Sequence, residues 1–190
     1  MNSTVIEILT EEASMENFLR VLLPRILPSD YTLGKNCFIR PHEGKSHLKK
    51  SIPIKMRAYP NYGYPVKVLI LHDQDSNDCM QLKGELQALC TNSSIPLVVR
   101  IACRELENWY LGDLNAVETV YPRTKASRQR HVAKFREPDN VIGSHEMSLL
   151  TKDFSKSHAS REIPKHMNLT VNTSASFNHF LSGLNKLIAL

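Results

Sequence analysis

Two aspartates that directly follow a short apolar run are the residues of this chain best suited to chemistry. The run covers residues 66–71, and Asp73 and Asp75 stand two positions apart just after it. In a β-strand, residues i and i+2 point to the same side, so we expect the two carboxylates to converge at the strand's end. Neighbouring carboxylates repel each other unless a cation lies between them. Because Mg²⁺ prefers oxygen ligands and often shares them with substrate phosphates, the pair predicts metal-dependent phosphate chemistry.

The elements that must position these aspartates alternate between strands and helices. Apolar runs predict strands at 4–9, within 31–40, at 66–73 and at 96–103. Between them, helical spacing predicts a helix capped by Ser14, a basic helix at 45–59, and a helix capped by Ser76 or Asn77. Pro53 is expected to start, kink or split the second of these helices. This order is typical of a largely parallel, four-stranded α/β sheet that is covered by helices on both faces.

The C-terminal part of the chain changes in pattern. Beyond the fourth strand we predict one helix or two with a break at Gly112-Asp113, followed by an exposed basic loop or extension over 122–140. Short helices are predicted near 144–150 and 158–166, and an amphipathic helix at 177–189. Trp109 and Tyr110 are interpreted as core residues. We therefore predict an α/β core over residues 1–112 and a helical extension over 113–190 that packs on it.

Carboxylates from three separate segments should meet at one edge of the predicted sheet. Ligands of parallel sheets collect beyond the carboxyl ends of the strands. Acidic residues follow the first, third and fourth strands, as Glu11 and Glu12, Asp73 and Asp75, and Glu105 and Glu107. We predict that Glu11, Asp73 and Asp75 hold a Mg²⁺ or Mn²⁺ ion and that Glu105, preferred to Glu107, completes the catalytic set. The alternative is that these residues cap helix N-termini.

Basic residues near the same edge are candidates for phosphate contacts. Gly44-Lys45-Ser46 imitates the end of a P-loop, but Ile39 occupies the position where that motif requires a glycine. A turn at Gly44 with nearby lysines can still form an anion site, or simply a solvated basic helix face. The predicted phosphate-binding residues are Lys45, Lys49, Arg104, Arg128 and Arg130. His72 is expected to pack on the face opposite Asp73, and no histidine spacing indicates a zinc site.

Bulk composition sets the protein class. The chain has 190 residues, a formal net charge of +5 and 42% hydrophobic residues, which suits a globular protein and is compatible with a nucleic-acid partner. Its four cysteines form no CxxC pair and are interpreted as small buried hydrophobes in a reducing cytosol. No apolar run approaches a membrane span, and no signal peptide is evident, so we expect a cytoplasmic protein.

Several segments resemble a known module. The chain is similar to an uncharacterised bacterial Toprim-like family, which is related to the Toprim domains of OLD-type nucleases and is often encoded beside an AAA- or ABC-type ATPase. The segments that carry this resemblance are Ile8-Leu9-Thr10-Glu11-Glu12-Ala13-Ser14-Met15, Leu22-Leu23-Pro24-Arg25-Ile26-Leu27-Pro28, His42-Glu43-Gly44-Lys45-Ser46, His72-Asp73-Gln74-Asp75-Ser76-Asn77-Asp78-Cys79, the run from Arg100 to Asp113, and Asn172-Thr173-Ser174-Ala175-Ser176-Phe177.

The resemblance covers nearly the whole chain and implies a Toprim-like, Rossmann-like fold. In Toprim modules a glutamate follows the first strand, usually with a glycine after it, and a DxD motif follows the third strand. Here Glu12 stands in place of that glycine, so the choice between Glu11 and Glu12 as the catalytic glutamate stays open.

Two functions follow from the residues and the resemblance together. The first is a metal-dependent nuclease that hydrolyses nucleic-acid phosphodiesters, working with an ATPase partner in bacterial anti-phage defence, where the ATPase and the defence role come from the resemblance alone. The second is a non-catalytic Toprim-like subunit that binds a partner protein or nucleic acid. The sequence does not decide between DNA and RNA, between one metal and two, or between oligomeric states.

Overall fold

A four-stranded parallel β-sheet forms the centre of the molecule. In the computed structural model, which describes residues 4–90 and 94–190, the strands lie side by side in the order β2-β1-β3-β4. Their bounds are Val5–Thr10 for β1, Cys37–Pro41 for β2, Val66–Asp73 for β3 and Leu97–Ala102 for β4. Every neighbouring pair is parallel. The predicted α/β class, with a Rossmann-like parallel sheet flanked by helices, is confirmed.

Helices connect the strands and fill the C-terminal part of the chain. They are α1 (Ala13–Ile26), α2 (Lys45–Ala58), α3 (Cys79–Ala88), α4 (Glu107–Leu111), α5 (Leu114–Val120), α6 (Ala133–Arg136), α7 (Gly143–Leu150), α8 (Lys156–His166) and α9 (Ala175–Ala189). The predicted break at Gly112-Asp113 is confirmed, because Asp113 caps α5 by accepting a hydrogen bond from the Ala116 N–H at 3.3 Å. Across residues 4–90 and 94–190, no helix has both the length and the apolar character to cross a lipid bilayer.

Alternate residues of β1 and β3 pack into two separate apolar cores. Ile8 and Leu71 point into the larger core, which also takes buried side chains from α1 and from α4 to α9. Leu9 and Ile70 point into the smaller core, which is closed by α2 and α3. The sheet is therefore covered on both faces, as its near-continuous apolar strands require. The division at residues 112 and 113 stays a prediction, although the larger core contains residues from both sides of it.

The aromatic residues after β4 anchor the C-terminal helix. Trp109 and Tyr110 are 0% and 1% exposed, which confirms that they are core residues. The Trp109 indole N–H donates to the Ser176 hydroxyl at 2.8 Å, and its ring lies 5.1 Å from that of Phe180. Through these contacts α9 is held against the same core as α1.

Pro53 lies inside the continuous helix α2, so it neither starts nor splits that helix. Three local predictions were wrong. The N-cap of α1 is Glu12 rather than Ser14, which lies inside the helix. The N-cap of α3 is Asp78 rather than Ser76 or Asn77, because the Asp78 carboxylate accepts a hydrogen bond from the Gln81 N–H at 2.8 Å. The segment 122–140 is not simply an exposed loop: it forms short helical turns and buries Phe135, because an aromatic side chain gains more from the core than from water.

Candidate functional site

The carboxyl ends of the strands meet at one edge of the sheet, where the predicted carboxylates lie. The register pairs Thr10 with Leu71 and Asp73 with Ala102, so β1, β3 and β4 end at nearly the same level. The backbone then turns into the loops that carry the acidic residues. The structure therefore brings the ends of these three segments together. The individual acidic side chains differ in their burial and in their hydrogen-bond partners.

Asp73 is the buried centre of this edge. It is the last residue of β3 and is only 6% exposed, and its Oδ1 has no hydrogen-bond partner within residues 4–90 and 94–190. Burial and the neighbouring negative charges of Glu107, Glu11 and Glu12 raise the pKa of Asp73 well above its usual range. A buried carboxylate without a partner destabilises a fold, and a nearby cation would offset that cost.

Glu11 is ionised and fixed by its neighbours. The His72 Nδ1 lies 3.0 Å from the Glu11 Oε2, and the Asp73 N–H donates to the same oxygen at 3.3 Å. Burial alone would raise the pKa of Glu11, but the hydrogen bond and charge of His72, together with Lys45, lower it overall. His72 is fully buried, consistent with a packing role, but it also contacts a carboxylate, which its position beside Asp73 did not suggest.

Glu107, rather than Glu105, is the acidic residue after β4 that joins the buried cluster. It is the first residue of α4, it is 2% exposed, and its Oε2 has no hydrogen-bond partner in the part of the chain that the structure describes. Burial raises the pKa of Glu107, although the charge of Lys156 opposes this effect. The preference for Glu105 as the catalytic residue stays a prediction, whereas the burial of Glu107 depends on how α4 is oriented.

Lys156 is a functional candidate that sequence reasoning missed. It is the first residue of α8, and its Nζ lies 3.6 Å from the Glu107 Oε1 while its side chain is 46% exposed. Burial alone would lower the pKa of Lys156, but the carboxylates of Glu107, Glu12, Glu105 and Asp73 raise it overall. No motif marks this lysine, because it reaches the edge only when the C-terminal segment packs against α1.

Asp75 and Glu105 lie beside the buried cluster rather than within it. β3 ends at Asp73, so the alternation of side chains does not extend to Asp75, which adopts a left-handed φ of 53°. The expectation that the two aspartates share one side of a strand was therefore wrong. Asp75 is paired with Lys45 at 3.4 Å. The Glu105 Oε2 accepts a hydrogen bond from the Ser144 N–H at 2.6 Å, which places this carboxylate at the N-terminus of α7.

The predicted phosphate-binding residues occupy different surroundings. Lys45 contacts Asp75, and Lys49 contacts Glu85 at 3.0 Å. The other three, Arg104, Arg128 and Arg130, are exposed. Only Lys45 among these five cations is seen to pair with a carboxylate of the strand edge.

Two clefts are bordered by other charged residues of this edge. One, of about 570 Å³, is bordered by the start of α1, the turn before α2, and the first turns of α8, including Glu12, Gly44, Lys156 and Arg161. The other, of about 280 Å³, is bordered by Asp75, Ser76, Arg104, Glu105 and Ile142. Among the described residues, Asp73 and Glu107 line neither cleft themselves.

The donor set is suited to a cation but does not enclose one. Asp73 and Glu107 offer oxygen atoms that lack partners. Within residues 4–90 and 94–190, however, no three side chains of histidine, cysteine, aspartate or glutamate come together in a metal-holding group. Mg²⁺ is commonly held by one or two carboxylates and completed by water and substrate phosphates, so a two-carboxylate site fits such an ion.

Comparison with protein-family models gives one match. Residues 10–185 match a domain of unknown function, DUF4276. This chain belongs to the DUF4276 family. The matched part of this DUF4276 chain contains both buried carboxylates, Glu11, Glu12 and Lys156. No curated protein and no solved structure matches the chain.

Proposed function

We propose that this DUF4276 protein is a metal-dependent nuclease that hydrolyses nucleic-acid phosphodiesters with Mg²⁺ or Mn²⁺. The supporting observation is that Asp73 and Glu107, at the carboxyl edge of the sheet, are both buried and each has one carboxylate oxygen without a hydrogen-bond partner among the described residues. Burying such an oxygen is costly, and groups of this kind are enriched at functional sites. A hard divalent cation is the ligand that both oxygens fit.

Asp73 and Glu107 would hold the ion, and Glu11 and Glu12 would add negative charge close to it. When bound, the metal would polarise a phosphoryl oxygen and lower the pKa of a bound water. Glu11 remains an oriented, ionised carboxylate that can accept a proton, because His72 and the Asp73 N–H hold its Oε2. Lys156 can bind a non-bridging phosphate oxygen, since it is half-exposed at the mouth of the 570 Å³ cleft.

The likeness to Toprim modules supports the same reaction. It is carried by Glu11 after the first strand and by Asp73 and Asp75 after the third, in a parallel sheet of the type that such modules have. We extend the proposal to a nucleic-acid substrate contacted by exposed basic residues, among them Arg128 and Arg130. An AAA- or ABC-type ATPase partner and a role in anti-phage defence are proposed from the family likeness alone.

One observation favours a second function, that of a non-catalytic subunit that binds nucleic acid or a partner protein. Several carboxylates of the edge already have internal partners: Lys156 for Glu107, Lys45 for Asp75, and the Ser144 N–H for Glu105. An edge neutralised in this way would need no metal to be stable.

Asp73→Asn and Glu107→Gln test the proposal, with Asp153→Asn as a control at an exposed aspartate. Mn²⁺ binding is measured by titration calorimetry, and cleavage is measured on labelled single- and double-stranded DNA and RNA. We expect the wild type to bind Mn²⁺ and to cleave only when metal is present. We expect either site variant to lose at least about 10–100-fold in Mn²⁺ affinity, the usual cost of losing even an outer-shell partner of a metal.

Because Mn²⁺ competes with protons for Asp73 and Glu107, and because the pKa of each is raised, metal affinity should increase as the pH rises above the usual carboxylate range. A wild type that binds no Mn²⁺ at saturation, or site variants that cleave as well as the control, would refute the nuclease proposal. Binding of nucleic acid without cleavage under any metal would favour the non-catalytic subunit.

A further inference from the structure

Two of the four cysteines line one cleft near the candidate site. Cys79 begins α3, and Cys103 directly follows β4. Both are half-buried, whereas Cys37 and Cys90 are buried in the two separate apolar cores. The expectation that all four are buried hydrophobes was therefore wrong for this pair, because each stands at the end of an element rather than inside one.

Backbone hydrogen bonds hold the two cysteine-bearing loops together. The Gln74 N–H donates to the Ala102 carbonyl at 2.9 Å, and the Asp75 N–H donates to the Arg104 carbonyl at 2.8 Å. In return, the Arg104 N–H donates to the Gln74 side-chain oxygen at 2.9 Å. Cys103 lies between the two residues bonded in this way, so its position relative to the β3–α3 loop is well defined.

Both thiols lie at the wall of one open cleft. Cys79 and Cys103 line this cleft of about 470 Å³, which Met80, Lys83 and His179 also border. The two thiols are close enough to interact, because Cys79 is among the groups that raise the pKa of the Cys103 thiol. Neighbouring thiols at the wall of an open cleft can be reached by a small oxidant, whereas a thiol in an apolar core cannot.

We propose that Cys79 and Cys103 form a redox-active dithiol, which a small disulfide such as oxidised glutathione converts into an intramolecular disulfide. The Cys79 sulfur attacks one sulfur of the oxidant, the oxidant's S–S bond breaks, and one glutathione leaves as a thiolate that takes up the proton. The Cys103 sulfur then loses its proton to solvent and displaces the second glutathione. Two electrons pass from the protein thiols to the oxidant, which yields two glutathione thiols.

The surroundings of Cys103 set the order of the two steps. Burial, the charge of Asp139 and the contact with Cys79 raise the pKa of the Cys103 thiol to about 12. Cys103 is therefore protonated near neutral pH and is a poor first nucleophile, so attack starts at Cys79. A thiol of high pKa is a poor leaving group, so the disulfide that it forms is slow to be reopened.

The cross-link would tie the start of α3 to the end of β4, next to the loops that carry Asp75 and Glu105. Its formation depends on the thiols alone and does not rest on the proposed nuclease activity. Solvent-accessible disulfides of intracellular proteins are commonly sensing or catalytic rather than structural.

Mass spectrometry and thiol titration of the full-length protein test this proposal. The reduced protein is incubated with oxidised glutathione, the remaining thiols are blocked, and peptides are mapped without reduction. In denaturant we expect the reactive thiols to fall from the four in the sequence to two, with one peptide that joins Cys79 to Cys103. Reduction with dithiothreitol should restore all of them.

Cys103→Ser should keep a single glutathione adduct on Cys79, because the resolving thiol is absent. Cys90→Ser, at a buried cysteine of the smaller core, is the control and should still form the cross-link. Two separate glutathione adducts in the wild type, or four unreacted thiols after prolonged oxidation, would overturn the proposal. The mapping of the wild type decides the question even if a variant does not fold.

Discussion

Replacing Lys156 by methionine should destabilise the fold in a pH-dependent way. The substitution keeps a long side chain but leaves the Glu107 carboxylate, which is 2% exposed, without the cation 3.6 Å away. At an effective dielectric constant of about 20, two charges at that distance interact with about 4–5 kcal/mol. Because the Lys156 side chain is 46% exposed, solvent screens much of this energy, and exposed pairs contribute only about 0–1 kcal/mol. We therefore expect a loss of about 1–2 kcal/mol near neutral pH.

The pH dependence follows from Glu107. Burial already raises the pKa of Glu107 above its ordinary value of 4.5, and the loss of Lys156 raises it further. A group with a raised folded-state pKa contributes its stability below the unfolded pKa, and that contribution is lost as the pH rises through the folded pKa. The difference between Lys156→Met and the wild type should therefore be largest at neutral pH and should shrink towards zero near pH 4.5.

Urea denaturation monitored by fluorescence is a suitable assay, because the chain has one tryptophan and it is buried at Trp109. Lys165→Met is the matched control on the same helix, since Lys165 pairs with the more exposed Glu162 at 2.7 Å. We expect that control to unfold at the wild-type urea midpoint at both pH values. An equal loss for Lys156→Met at neutral and acidic pH, or no loss at either, would refute the reasoning about the buried carboxylate.

Three further substitutions test the surroundings of the site and the space around two glycines. Glu105→Gln weakens the charged acceptor of the Ser144 N–H, so we expect a loss of about 0.5–1.5 kcal/mol in urea denaturation; an unchanged midpoint would argue against the capping role. A Cβ added at Gly112 would lie 2.1 Å from the Asn172 Oδ1, which itself accepts from a backbone N–H, so Gly112→Ala should cost about 1–3 kcal/mol. Gly84→Ala meets no atom within 4 Å inside α3 and should instead stabilise the protein by about 0.5–1 kcal/mol; equal effects of the two alanines would contradict this.

The parts of the site that depend on neighbouring residues along the chain, or on the order of strands and helices, could be predicted from the sequence. An apolar run ending in an acidic residue predicts both a buried strand and a carboxylate at its end, and β3 ends at Asp73 as expected. Parallel strands carry their ends to one edge, so the meeting of Glu11 with the end of β3 also followed from the order of elements. The pattern of apolar and polar residues decides the strand and its acidic end, because each depends on a few consecutive residues.

The parts that depend on side-chain direction beyond a strand end could not be predicted. Asp75 adopts a left-handed φ because the two loops are bonded to each other through its backbone. The choice between Glu105 and Glu107 depends on Asn108. Its Oδ1 accepts from the Glu105 N–H, and its Nδ2 donates to the carbonyls of Pro138 and Val141. These contacts join segments about 30 residues apart, and no local pattern encodes them.

The sequence by itself therefore determined the parallel sheet, its acidic edge and the position of Asp73 at a strand end, because apolar runs specify strands and strands specify where their ends meet. Only the tertiary structure buried Glu107 more deeply than Glu105, placed Lys156 beside it, and brought Cys79 and Cys103 to one cleft. Those pairings arise when α4, α8 and the loops pack on the finished sheet, and their energy comes from burial and long-range contacts rather than from the neighbours of each residue along the chain.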